Sequence, residues 1–199
     1  MEIENNKEEV PFSFYAEKFA GADPVEIGER IGVAAQNGAF SLNLLGTEYT
    51  ICHPSAEITP APALPVQTFL LRYLLEAKTV AWAGAWKTFR EMPWGELYIK
   101  PYTGRVLTRA AFTFGTRLAA FQKGAEALGA KAISHGDAGY VFQFLGRYRM
   151  QLMVWEGDDE FPPNAQVLYS DNFEEGFAPE DRVVAGDILI SVIKAASNR

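Results

Sequence analysis

Hydrophobic spacing along this chain switches between periods of about 3.6 and about 2 residues, and the switches divide it into helices and strands. Phe12, Tyr15 and Phe19 stand at helical intervals within 11–22 and predict a short docking helix. A better-marked helix follows, because Asp23-Pro24-Val25-Glu26 sets a capping carboxylate, a first-turn proline and a third-position glutamate ahead of Ile27 and Ile31. Gly32 closes it. Alternation takes over in Phe40-Ser41-Leu42-Asn43-Leu44 and returns in Glu48-Tyr49-Thr50-Ile51-Cys52, which predicts a β-hairpin turning at Gly46-Thr47. Pro54, Pro60, Pro62 and Pro65 forbid a helix and make 53–65 a stiff extended connection.

From Pro65 the helical period resumes, with Val66, Phe69, Leu70, Tyr73, Leu74 and Ala77 on one broad apolar face of a core helix. Residues 78–95 read as an aromatic loop or short helix, with Trp82, Trp86, Phe89 and Trp94 among turn-forming glycines and a proline. Between Gly104 and Gly129, apolar positions from Leu107 to Leu128 keep helical spacing and predict the longest helix, with Gly115 a packing contact or a bend. Strands follow at 130–134, 140–145, 149–155 and 165–169, rich in Val, Phe, Leu and Tyr, as in an antiparallel meander. Pro179-Glu180-Asp181 opens a last helix that buries Val184, Ile188 and Val192. Helices and strands are segregated rather than alternating, so the expected fold class is α+β, an antiparallel sheet with helices packed on one side.

The length of 199 residues, 48% hydrophobic and 22% charged, suits one domain with a core that needs no staples. The expected organisation is a flexible tail over 1–10 and a single domain over 11–199. No apolar run approaches the roughly 20 residues of a membrane span. The start of the chain is acidic rather than basic and apolar, which places the protein in the cytoplasm. Cys52 is the only cysteine, so an internal disulfide and a four-cysteine cluster are both excluded. A zinc site would have to gather Cys52, His53 and His135 with a carboxylate from distant segments; the alternative is that these are ordinary strand and loop residues. A net charge of −7 argues against a nucleic-acid partner. Arg147-Tyr148-Arg149 comes closest to a basic patch and reads as a hairpin turn.

The sharpest local feature is Trp155-Glu156-Gly157-Asp158-Asp159-Glu160-Phe161-Pro162-Pro163, where four acids leave an apolar strand and run into two prolines. Glu156, Asp158 and Asp159 are candidate oxygen ligands for Mg²⁺ or Ca²⁺, although the spacing lacks the calcium-loop signature. Alternatively, Trp155, Glu156, Asp158, Asp159 and Glu160 form a ligand- or partner-binding surface, or the turn is structural, anchored by Phe161, with its charges in water. Paired carboxylates for sugar chemistry would need to face each other across a cleft, which neighbours on one turn do not establish. His135, next to Gly136-Asp137, is a candidate general base or a simple turn residue. Neither glycine-rich phosphate motif occurs, so no nucleotide cofactor is expected, and none of another kind. Trp82, Trp86, Trp94 and Tyr98 supply either a stacking pocket for a ring-shaped ligand or core.

Four segments together carry a family resemblance: Tyr73-Leu74-Leu75 after a proline-led helix, Phe89-Arg90-Glu91 followed by Gly95 and Tyr98, the Trp155 to Pro162 run, and Pro179-Glu180-Asp181. Over about Pro24 to Ala195 the chain resembles the family designated domain of unknown function 3786. The resemblance implies a setting in anaerobic bacteria and archaea and supplies no catalytic residues. Some relatives are similar to proteins with a separate cysteine-rich iron–sulfur module, for which this sequence, with Cys52 alone, has no ligands. The expected function is a binding or accessory role in anaerobic metabolism, toward an unknown protein or small molecule. The alternative is a divalent-metal-dependent enzyme using the acidic turn.

Overall fold

The structure, a computed structural model, describes residues 9–198, so most of the tail expected over 1–10 lies outside the described residues. Helix α1 spans Glu9–Ala20 and α2 spans Pro24–Ile31. The predicted caps of α2 are in place: Asp23 Oδ1 accepts from Val25 N at 2.8 Å, and Gly32 ends the helix at φ 70°. The predicted hairpin is β1 (Ala39–Leu44) and β2 (Thr47–Cys52), although it turns one residue earlier than expected, at Leu45-Gly46. Both residues have positive φ, 50° and 83°, as a two-residue turn compatible with strand twist requires. Asn43 Oδ1 secures the turn by accepting from Gly46 N.

The proline-rich connection contains a strand that periodicity did not show, β3 (Ile58–Thr59), paired to β2. Two residues are too few to display alternation. Helix α3 (Leu64–Glu76) follows, and Arg30 from α2 closes its C-terminus by donating to the carbonyls of Leu74 and Ala77. In the aromatic segment, Trp86–Lys87 forms β4 against β8 (Asn164–Ser170) rather than a loop or helix.

The long helix expected over 104–128 is broken. Instead, α4 (Gly95–Tyr102) runs through a π-helical stretch (Thr103–Thr108) into α5 (Arg109–Phe114), and α6 (Leu118–Ala127) starts afresh. Pro101 lies inside α4 and contributes no N–H, and the widened π turns follow directly after it. At the second break, Gly115 is packed against Pro163, and its carbonyl accepts from Gly157 N at 3.3 Å. The segment after β7 (Tyr148–Trp155) therefore docks where the helix is interrupted. The longest helix among the described residues is α8 (Pro179–Ser197), after the single-turn α7 (Phe173–Gly176).

The remaining strands are β5 (Lys131–Ile133) and β6 (Ala138–Leu145). Strand order is β3-β2-β1-β6-β7-β8-β4, with β5 also paired to β6 and every pairing antiparallel. The fold is α+β with its helices on one side of the sheet. Phe142, Phe144, Met150, Leu152, Val167 and Tyr169 point into the core beneath the helices. There, Phe144 and Phe177 pack against Phe69 of α3, and Phe173 packs against both of them. The alternate positions Gln143, Arg149, Gln151 and Gln166 remain wholly or partly exposed on the other face.

Candidate functional site

The acidic turn is built by one of its own acids. Asp158 Oδ1 accepts from Glu160 N at 2.8 Å and Phe161 N at 2.7 Å, while Asp158 N donates to Phe161 O at 2.9 Å. The two backbone donors hold the Asp158 carboxyl below its ordinary range. Glu156, Asp159 and Glu160 are exposed, and so is Phe161, at 67%. Phe161 thus does not anchor the turn as the structural reading expected; the anchoring contacts come from Asp158 and from Pro163 against Gly115. Trp155, Glu156, Phe161 and Asn164 border a shallow recess.

The loop carrying His135 is tied to this turn, since Asp137 Oδ2 accepts from Glu156 N at 2.8 Å. Asp137 is therefore engaged with backbone, and His135 is exposed beside it. His53 is remote from that loop in the fold, with Nε2 3.0 Å from Ala22 O and its ring edge-on to Phe19. Among the described residues, no group of three or more His, Cys, Asp or Glu side chains converges as a metal site. This covers both the Glu156, Asp158, Asp159 set and the Cys52, His53, His135 set.

A more developed constellation lies on the uncovered sheet face. Trp82 and Trp86 meet with ring centroids 5.2 Å apart, and the Arg149 guanidinium carbon lies 4.5 Å from the Trp82 ring centroid. Arg149 Nε donates to Gln143 Oε1 at 3.1 Å, which fixes the side chain across β6 and β7. Its two Nη atoms make no hydrogen bond among the described residues, and no carboxylate there pairs with Arg149, Arg147 or Lys131. Beside them is a cleft of about 500 Å³, lined by Trp82, Trp86, Lys131, Val141, Arg149 and Gln151 among others, with no acidic side chain on its wall.

Two residues that sequence reasoning passed over hold the tryptophan loop in place. Asp171 accepts from Ala83 N at 3.1 Å and Ala85 N at 3.0 Å, and Asn172 Nδ2 donates to Val80 O at 2.8 Å. Tyr148 OH adds a bond to Lys78 O, and Trp82 Nε1 donates to Ala85 O. The available signal was Asp171-Asn172 directly after a strand, a pair that commonly caps neighbouring backbone. Of the four aromatics expected to form a pocket or core, only Trp82 and Trp86 come together. Trp94 is exposed at a positive-φ turn, and Tyr98 bonds Glu180 of α8.

No helix among the described residues is long and apolar enough to cross a membrane. No curated protein and no solved structure matches the chain. A family model described as domain of unknown function (DUF3786) matches residues 23–192.

Proposed function

The chain belongs to the DUF3786 family, whose description leaves the chemistry to be read from the side chains themselves, and we propose that it is a cytoplasmic binding protein that holds a small planar anion in the cleft of Trp82, Trp86 and Arg149. The observation that carries this reading is a guanidinium stacked on an indole, with its Nη atoms unpaired, on a cleft wall without carboxylates. In a chain of net charge −7, a cationic cleft free of acids is a local reversal of the average. The indoles offer stacking area to a ring, while Arg149 and Lys131 offer charge-assisted donors to a carboxylate or phosphate. The volume lies within the roughly 300–1,000 Å³ typical of small-molecule sites.

Isothermal titration with 2-naphthoate, against acetate as the ringless control, tests the reading. Naphthoate should bind at one site and acetate should not. Arg149→Gln and Trp82→Ala should each weaken the interaction about tenfold or more, the loss of one charge-assisted or stacking contact. Equal affinity of both variants and the parent would refute it.

A second contact surface is supported by the exposed Phe161 beside Trp155 and the exposed carboxylates of Glu156, Asp159 and Glu160, which together complement a basic protein surface. Asp159→Asn combined with Glu160→Gln should leave the melting temperature unchanged and reduce retention of a lysine-rich peptide. Unchanged retention would remove this reading.

A further inference from the structure

Helices α3 and α8 and the start of α1 enclose a second recess, of about 200 Å³, separate in its lining from the tryptophan cleft. Pro11, Phe69 and Val184 give it apolar walls, and Arg72, Glu180 and Asp181 give it charge. Asp181 is 6% exposed, with Oδ2 3.0 Å from Arg72 Nη2. The same Nη2 lies 3.5 Å from Glu76 Oε2, and the Tyr15 ring of α1 covers the guanidinium at 5.1 Å. Arg72 Nε is buried and has no hydrogen-bond partner among the described residues.

Three features specify an occupant. Arg72 meets its carboxylate partners through Nη2 alone, which leaves Nη1 without a partner among the described residues and able to donate to a ligand oxygen with charge-assisted strength. On the recess wall itself Glu180 and Asp181 outnumber Arg72, which favours a ligand carrying an ammonium. The apolar walls and the volume, below the roughly 300 Å³ of drug-sized sites, favour a short hydrocarbon group. We propose that this recess binds a small aliphatic α-amino acid as its zwitterion, with the ammonium at Asp181 and Glu180 and a carboxylate oxygen on Arg72 Nη1.

Burial pushes the Asp181 carboxyl up to about 7, opposed by Arg72 and reinforced by Glu76 and Glu180. Arg72 and Glu76 face it from α3, Glu180 and the buried cation Arg182 flank it on α8, Tyr15 of α1 covers its partner Arg72, and Tyr98 of α4 occupies Glu180 through a hydrogen bond. An ammonium placed at Asp181 favours its charged form, so occupancy expels a proton at mildly acid pH. Affinity therefore rises with pH until the free carboxyl is already ionised.

Calorimetric titration of the intact protein with L-valine at about pH 6 and about pH 8, in buffers of different ionisation enthalpy, reads both affinity and proton release. The expected result is one site, about tenfold tighter at the higher pH, releasing close to one proton per ligand at the lower. Arg72→Lys keeps the charge but lacks the fork that lets one terminal nitrogen hold Asp181 while the other meets the ligand, and it should weaken binding about tenfold. Asp181→Asn should abolish the proton release. Glu180→Gln, at an exposed position, provides a second reading of the ammonium contact should Asp181→Asn fail to fold, and it too should weaken binding. No heat with millimolar valine at either pH, or isobutylamine binding as tightly as valine, would overturn the proposal. Trp82→Ala should leave valine binding unchanged, which keeps this result independent of the sheet-face cleft.

Discussion

Asp158 illustrates how a residue chosen for its charge can be used for its geometry. Its side chain accepts two backbone N–H groups of its own turn, so it serves the chain before any ion or partner. A group with a depressed folded-state pKa contributes stability above its unfolded value and loses it as pH falls through the folded one. Asp158→Asn should therefore lower the melting temperature at neutral pH, and the difference should disappear once the pH is low enough to protonate the aspartate in both states. Phe161→Ala, at an exposed ring, should shift melting less than Asp158→Asn does. Thermal denaturation followed across pH checks the order of the two. Residue identity alone did not reveal this, because Asp158 and Asp159 are chemically equal in the sequence and differ only in which one the turn points at Glu160 N and Phe161 N. Arg149 presents the opposite case: in sequence it is part of a hairpin turn, and only the sheet register sets it over Trp82.

At the level of elements, the legible parts were those with strong local determinants. Helix α2 has its cap, proline and terminal glycine in sequence, and its two ends fall where those residues put them. The meander strands alternate along Tyr140–Phe144, Tyr148–Leu152 and Asn164–Tyr169, enough to fix their faces. The single helix expected over 104–128 is interrupted, which the spacing does not show because periodicity carries through a helix break when the next helix presents its apolar face in a compatible phase. What interrupts it is tertiary: Pro163 and the Trp155 carbonyl occupy the space beside Gly115. Gly115 has φ −69°, so alanine is conformationally allowed, and propensity alone would favour it by about 0.5–1 kcal/mol. An added Cβ would meet Pro163, and the Ala111 carbonyl at 2.7 Å, so overpacking of about 1–3 kcal/mol should win. Gly115→Ala is expected to destabilise in chemical denaturation, by a margin that Pro163→Gly, made in the same background, partly relieves. The candidate sites were less legible than the fold. The Trp82 cleft depends on loop anchors at Asp171 and Asn172, and the Asp181 recess depends on three helices converging.

At the scale of the whole molecule, the group among the described residues whose raised value falls nearest to neutrality is Asp181. Between its ordinary value of 3.8 and about 7, the folded chain holds a proton that the unfolded chain has released. Stability must then fall as pH rises through that window and level off above it, with a slope of at most about 1.4 kcal/mol per pH unit. Arg72 beside Asp181 keeps the two states within reach of each other. Asp181→Asn should flatten this part of the profile, as measured by denaturant unfolding at successive pH values. The distribution of charge also matters at this scale: a net charge of −7 repels other anions at long range, while the wall of the Trp82 cleft carries Lys131 and Arg149 and no acid.

The two-residue strands Ile58–Thr59 and Trp86–Lys87 end the sheet on opposite flanks. A strand that short presents almost no run of unpaired amides, and Pro60 directly after the first removes the next donor. These short strands cover their longer neighbours only at Thr50 and Ile51 of β2 and at Tyr169 and Ser170 of β8. A second strand seeking a template would therefore have to begin along the unpaired stretches of β2 and β8, away from the two tips that the short strands close.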